Sequence, residues 1–431
     1  MFAPLVCVFI FTLVFLLVEA EKVDRNQATV AGAVMMLVLG WLLNFYSLHQ
    51  ALRSVYFDTL ALIFGMSLIV DALIRSGLFR VFAKRVSLYS RGEPRVVLVL
   101  LVLIGYGLAL VIGNLATMLI ILPLTLALCS AVGLLPVPLI IAEIIATNLG
   151  GASTLIGDFP NMVIGAAGRL HFDDFIGGMM APCLLMLGIL LVYFDERVLR
   201  VLPRGVRPLT PELSETPPID RYLARLGVSV LTVTLVALVF AVPLGLQPSS
   251  IALYGGMVIM LAGRIPQDTL LKAMSGSEIL FFAALFVMVG GLQAAGVLMG
   301  LHDLIVSLGG GHPTQSAILL MWVGAVLTPF LNSGPTTVLL VPVAAALSQE
   351  YAGVVVWWAL ALGILAGSSA TLTGATAGPV VASQMVHQLE EHRRVSNAGW
   401  VLDSASYRQV GVPLTLIFLL FSTIYITLVS T

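Results

Sequence analysis

Long apolar stretches alternate with short polar connections along the whole chain. Runs long enough to cross a bilayer lie near residues 3–19, 27–46, 56–76, 137–170, 174–194, 224–244, 249–263, 278–299, 353–387 and 409–428, which makes ten crossings. Each crossing needs about 20 residues unless it is tilted or broken. Two further apolar blocks, 96–130 and 315–348, are interrupted in the middle by Gly113-Asn-Leu-Ala-Thr117 and Asn332-Ser-Gly-Pro-Thr336. Both are read as re-entrant hairpins that enter and leave on one side. The pattern predicts an all-α polytopic membrane protein.

The run Asn148-Leu-Gly-Gly-Ala-Ser-Thr-Leu-Ile-Gly-Asp158-Phe-Pro-Asn161 breaks this pattern most sharply. It sets three glycines, a proline, two amides and a carboxylate inside an apolar stretch. Irregular backbone at membrane depth survives only where protein or a water-filled cavity covers it. Ionisable groups there are costly and mark ion or proton paths. Gly367-Ser-Ser369 opens a second such region in 353–387. Unwinding is expected at Gly150-Gly151 and at Gly367-Ser368-Ser369.

The two interrupted regions repeat. A shift of 219 places Gly77 on Gly296, Thr117 on Thr336 and Pro123 on Pro342. A shift of 217 places Thr154-Leu155 on Thr371-Leu372 and Gly157 on Gly374. Residues 1–194 then form a first unit of five transmembrane helices plus the hairpin 96–130, with a broken helix at 137–170. Residues 224–431 form a second, with hairpin 315–348 and broken helix 353–387. Residues 195–223, rich in Arg, Pro and Glu, connect them. An odd number of crossings inverts the second unit, an inverted repeat with its broken helices at the midplane, as secondary transporters are often built.

Composition agrees with a membrane protein: 59% of residues are hydrophobic and 10% charged, where a soluble domain carries about 25% charged. Of the 21 Lys and Arg residues, all except Arg53 and Arg169 fall on one side of the ten-crossing topology. By the positive-inside rule that side is the cytoplasm, so both termini face the periplasm or a lumen. Phe2–Val18 lacks a positive flank and reads as a retained first helix rather than a cleaved signal. No basic block suggests nucleic acid. Neither Cys7, Cys129 and Cys183 nor the six histidines have metal-ligand spacing. No nucleophile–base pairing or nucleotide loop points to an enzyme or to a cofactor.

Within this frame, Asp158 is the strongest candidate for chemistry. A carboxylate that exchanges between water and a poorly hydrated cavity can take up and release protons. It also suits the N-cap of a half-helix starting near Pro160, and the two roles are compatible. Glu143, with no Lys or Arg near it in sequence, is either a second ionisable group of the path or a carboxylate wetted near the cytoplasmic mouth. Asn148, Ser153, Thr154, Asn161, Asn114, Thr117, Asn332, Ser333, Thr336, Thr371, Thr373 and Thr376 supply neutral oxygens and amides at the breaks and tips. Helix ends with opposite partial charges can hold ions alongside them. Asp58 and Glu278 read as helix caps, the latter in the box Ser275-Gly-Ser-Glu278. Asp71 and Arg75 read as a snorkelling pair, residues 78–91 as a basic amphipathic surface helix, and His171, Asp173 and Asp174 as a solvated outer loop.

The motif 148–161 closely resembles the signature of the ArsB/NhaD family within the ion transporter superfamily, and Pro335-Thr-Thr337 extends the likeness into the second hairpin. That family includes arsenite permeases and sodium/proton antiporters. Stretches 51–66, 171–180 and 357–367 are most similar to a branch resident in the membrane around the magnetite crystals of magnetotactic bacteria. The resemblance implies a secondary transporter in the bacterial inner membrane or magnetosome membrane. There it would move the protons released by magnetite formation to the cytoplasm, in exchange for sodium in one version. It also implies association as a homodimer or with other magnetosome proteins. Family hairpin tips carry an Asp-Asn pair, whereas this chain has Gly113-Asn114 and Asn332-Ser333. The missing carboxylates remove hard sodium ligands and leave two alternatives: an arsenite-type, anion or other solute permease, and a transport-inactive scaffold.

Overall fold

The computed structural model describes residues 2–19, 23–78, 81, 93–132, 135–196, 219–241, 245–263, 276–351, 353–391 and 402–430, and these are helical with no strand among them. Most of the surface helix expected over 78–91, residues 197–218 of the connection, and Ser275 of the box expected at Glu278 lie outside the described residues.

The chain begins with α1 (Phe2–Glu19), α2 (Arg25–Leu42), the short α3 (Leu48–Ser54) and α4 (Phe57–Arg75). Asp24 starts α2 by accepting the Asn26 and Gln27 N–H groups, and Ser47 with Gln50 forms a reciprocal box on α3. These acceptors satisfy donors that the first helical turn leaves unpaired. The first hairpin is α5 (Pro94–Ile112) and α6 (Asn114–Val132); the first broken helix is α7 (Pro136–Ala152) and α8 (Phe159–Gly168). The short α9 (Phe172–Phe175) runs through a π-turn at Ile176–Met180 into α10 (Ala181–Phe194).

The second part opens with α11 (Arg221–Val239), capped by Asp220, and α12 (Pro248–Ala262). Then come α13 (Gly276–Ala294) and α14 (Val297–Leu308), bent by 67° about Gly296. The second hairpin is α15 (Pro313–Leu331) and α16 (Ser333–Tyr351); the second broken helix is α17 (Val355–Ser368) and α18 (Gly378–Glu391). A final helix, α19 (Ser404–Val429), packs against α17.

Adding 219 to the bounds of α4, α5 and α6 gives the bounds of α13, α15 and α16. Packing recurs as well: α5 lies on α7 as α15 lies on α17, and α8 lies on α16 as α18 lies on α6. Prolines interrupt α6 at Pro123 and α16 at Pro342, also 219 apart.

Among the described residues, six helices are long and apolar enough to cross a membrane by length and composition: Phe57–Arg75, Arg95–Ile112, Phe172–Phe194, Arg221–Val239, Pro313–Leu331 and Ser404–Val429. The bent α13–α14 pair makes a seventh. Two of these are first legs of the hairpins expected to be re-entrant. A 19-residue leg is about 28 Å long, so the first leg of each hairpin has full spanning length, whereas Asn114–Leu126 of the first returning leg is a shorter apolar helix. Several other expected crossings fold as shorter apolar helices, α1, α7, α12 and α17 among them.

Other sequence expectations are settled locally. Arg75 and Asp71 pair at 2.5 Å. Asp58 does not cap its own helix: Tyr56 occupies the N-cap of α4, and the Asp58 carboxylate accepts from Ser249 Oγ of α12 at 3.0 Å. The segment expected as a solvated loop is helical, with His171 N–H donating to Asp174 at 2.7 Å across the first turn of α9.

Candidate functional site

The hairpin tips are single residues with left-handed backbone. Gly113 has φ 81° and ψ 156°, and Asn332, 219 positions later, has φ 71° and ψ 163°. Positive φ with ψ near 160° is open to glycine and strained for asparagine, and at each tip one helix stops and the next begins within one residue. Thr117 Oγ1 donates to the Gly113 carbonyl at 2.7 Å and Thr336 Oγ1 to the Asn332 carbonyl at 2.8 Å. Each hydroxyl fastens the first turn of the returning helix to its tip.

The breaks lie a little beyond the expected positions. Gly150 and Gly151 stay inside α7, and Gly367 and Ser368 inside α17; the backbone unwinds over 153–158 and 369–377. Glycine serves here for close approach. A Cβ on Gly151 would lie 2.9 Å from the Gly157 carbonyl oxygen. The freed polar groups are satisfied by the protein, as membrane depth demands. Asn161 Nδ2 reaches the carbonyls of Ala152 at 2.9 Å, Thr154 at 2.8 Å and Gly151 at 3.3 Å. Thr154 Oγ1 donates to Leu110 of α5 at 2.5 Å, and Thr371 Oγ1 donates to Pro329 of α15 at 3.2 Å. Ser153 Oγ donates to Leu149 at 2.8 Å and lies 2.8 Å from Tyr106 OH.

Hairpin tip and break meet at Asp158, which caps α8. Its Oδ1 accepts the Phe159 N–H at 2.9 Å, and its Oδ2 accepts from Asn114 Nδ2 at 3.1 Å. Asn114 Nδ2 also lies 3.1 Å from Asn148 Oδ1, and Asn148 Nδ2 donates to the Ser368 carbonyl at 3.4 Å. A polar chain thus runs from the carboxylate to the broken helix of the second part. There the tip meets the break through hydroxyls: Ser333 Oγ is 2.7 Å from Thr376 Oγ1, Asn332 Nδ2 donates to Thr373 at 2.9 Å, and Thr371 and Thr373 hydroxyls stand 3.5 Å apart. The position 217 beyond Asp158 is Ala375, so the cluster has one carboxylate. Phe159 stacks on Phe282 of α13 with ring centroids 3.4 Å apart, and a Cβ on Gly334 would meet both rings. The starts of α6, α8 and α16 converge here, and helix starts carry partial positive charge.

Glu143 does not reach the protein surface. It is wholly buried on α7 against α6, with Oε1 2.6 Å from Thr125 Oγ1 and Oε2 without a partner among the described residues. Thr125 Oγ1 also lies 3.2 Å from the Ile121 carbonyl. Among the described residues no hydrogen bond joins Glu143 to the Asp158 cluster. The structure therefore brings Asp158, Asn114, Asn148, Ser153, Thr154 and Asn161 together around the first break, and Asn332, Ser333, Thr371, Thr373 and Thr376 around the second. Sequence reasoning missed Tyr106, Thr125 and Phe282. The first two were legible as polar groups in apolar spans; Phe282 left no signal, being one aromatic among many.

A model of the citrate transporter family matches residues 13–363. The chain is 40% identical over 428 residues to the magnetosome protein MamN of Magnetospirillum gryphiswaldense, covering 98% of each. It is 30% identical over 391 residues to an uncharacterized transporter of Mycobacterium bovis, covering 87% of this chain and 89% of that one. Among solved structures, the YdaH transporter of Alcanivorax borkumensis shares the fold, with a TM-score of 0.55 at 15% identity over 86% of this chain and 84% of the other. All-helical architecture, membrane-spanning helices and these relatives agree: the chain is a multi-pass membrane protein that belongs to the citrate transporter family of secondary transporters.

Proposed function

We propose that this protein moves protons across the magnetosome membrane, with sodium as the exchange ion in one version, and so removes protons released by magnetite formation. The observation that carries the reading is the placement of Asp158, which holds the tip of the first hairpin through Asn114 and reaches the second broken helix through Asn148. An ionised carboxylate accepts the Asn114 N–H in a charge-assisted bond, stronger than a neutral one. A proton or cation on Asp158 weakens that bond and frees the tip to move. Loading is thereby coupled to rearrangement of the two parts. Glu143 supplies a second proton-binding group on the cytoplasmic limb.

The repeating helix bounds support an inverted repeat of residues 1–194 and 224–431 joined by 195–223. The 148–161 motif supports a place beside the ArsB/NhaD transporters, and the MamN relatives support residence in the magnetosome membrane. The charge distribution supports a lumenal or periplasmic side for both termini. An anion or neutral-solute permease is the second reading, favoured by three helix starts meeting at a cluster with one carboxylate and by the family description.

Proteoliposomes loaded with a pH dye decide between them. Sodium, lithium and potassium gradients are imposed in turn, with valinomycin setting the potential. Proton flux driven by sodium supports exchange. Proton flux without a cation partner replaces exchange with uniport. No proton flux under any gradient sinks the reading in favour of the permease.

A further inference from the structure

A cavity of about 440 Å³ opens between α4, α8 and α12. Its α8 wall is a single helical stripe, Met162, Ala166 and Arg169, since residues three and four apart share a face. One turn before Met162 lies Asp158, the N-cap of α8 in extended backbone, whose carbonyl accepts the Met162 N–H at 3.3 Å. One turn is about 5.4 Å. The floor is Met162, 7% exposed, and Leu155, 1% exposed, the latter from the first break itself.

The mouth carries charge. Arg169 lines it with no side-chain hydrogen bond or ion pair among the described residues. It sits in left-handed backbone, φ 53° and ψ 38°, at the C-cap of α8, where glycine would be unstrained. Across from it, Asp58 is held by Ser249, and His171 stands 3.6 Å from Asp174. Arg169 thus keeps a strained backbone and has no partner among the described residues, while Asp58 sets an opposite charge on the same lining.

We propose that this cavity is the access vestibule to Asp158, closed at its floor by Met162 and Leu155, and that Arg169, opposed by Asp58 on the same lining, slows the entry of cations relative to anions. This rests on the reading of Asp158 as the loaded group. Sodium reaching Asp158 from this side must pass a guanidinium, whereas protons move along water.

The three native cysteines, Cys7, Cys129 and Cys183, are each 0% exposed, so introduced cysteines can be read against a silent background. The full chain in lipid nanodiscs, with both faces open, is treated with charged thiosulfonate reagents. Ala166→Cys should label fast, Met162→Cys at least tenfold more slowly, and Ile164→Cys, wholly buried on another face, not at all. An unlabelled Ala166→Cys in protein that runs as one folded species overturns the vestibule, as does equal labelling at Ile164→Cys. At Ala166→Cys, adding Arg169→Gln should shift the cationic-to-anionic rate ratio roughly three- to tenfold toward the cation. An unchanged ratio overturns the role of Arg169. Labelling Met162→Cys should block proton flux in proteoliposomes. Flux that persists overturns the route and leaves Asp158 standing. If the wild type itself carries no protons, the Asp158 reading fails, and the labelling pattern alone still decides the vestibule.

Discussion

Gly157→Ala tests whether the unwound segment is as tightly seated as the geometry requires. A Cβ at Gly157 would lie 2.6 Å from the Gly151 carbonyl oxygen and 2.8 Å from that of Ala109. Both neighbours are backbone, of α7 and α5, so no side chain can swing away. Relief requires moving the break by several tenths of an ångström, an overpacking that costs about 1–3 kcal/mol. For a chain of this length that lowers the apparent Tm by about 1–3 °C. The next residue is Asp158, so the same displacement lengthens its contact with Asn114 and lowers flux at least tenfold. Gly107→Ala is the control. Nothing lies within 4 Å of its Cβ position, and alanine in an open helical position stabilises by about 0.5–1 kcal/mol. Both variants are read by thermal unfolding in detergent and by flux in proteoliposomes. Wild-type stability and flux in Gly157→Ala would refute the packing at the break.

Three further outcomes follow from named contacts. Thr125→Val leaves both Glu143 oxygens without a partner and lowers stability by about 1–3 kcal/mol; adding Glu143→Met restores it, which thermal unfolding of single and double variants checks. Asn148→Ala removes the side-chain link to the Ser368 carbonyl and reduces flux more than it reduces Tm; equal losses would make Asn148 merely structural. Asp403 caps α19, and the hydroxyl and N–H of Ser406 hold its carboxyl below the ordinary carboxylate range. Its folded value is the lower one, so its contribution is present above the unfolded value and fades as pH falls through the folded one. Asp403→Ala therefore destabilises at pH 7 and converges on wild type in acid, as a Tm series against pH would show.

Glycine, proline, amide and acid inside apolar blocks made the breaks and hairpins legible, because no ordinary spanning helix tolerates such clusters. The cap role of Asp158 was legible for the same local reason: Pro160 sits in the first turn of the half-helix that Asp158 caps. Position within the glycine runs was not, since a glycine pair reads alike whether it unwinds the chain or admits a neighbour. Gly150 and Gly151 do the second. Long-range partners were invisible too. Asn114 meets Asp158 across 44 positions and Ser249 meets Asp58 across 191, and only the packing of α6 on α7 and of α12 on α4 brings them together. Glu143 stayed open between a path group and a mouth residue because sequence position alone does not reveal its burial against α6.

Proton flux in proteoliposomes of wild type, Asp158→Asn and Asp158→Glu tests the central claim most directly. Asparagine keeps the size and the acceptor for Asn114 but binds no proton, so flux should vanish; glutamate keeps the acid and should retain part of it. Wild-type flux in Asp158→Asn, with the protein correctly folded and inserted, would contradict the account.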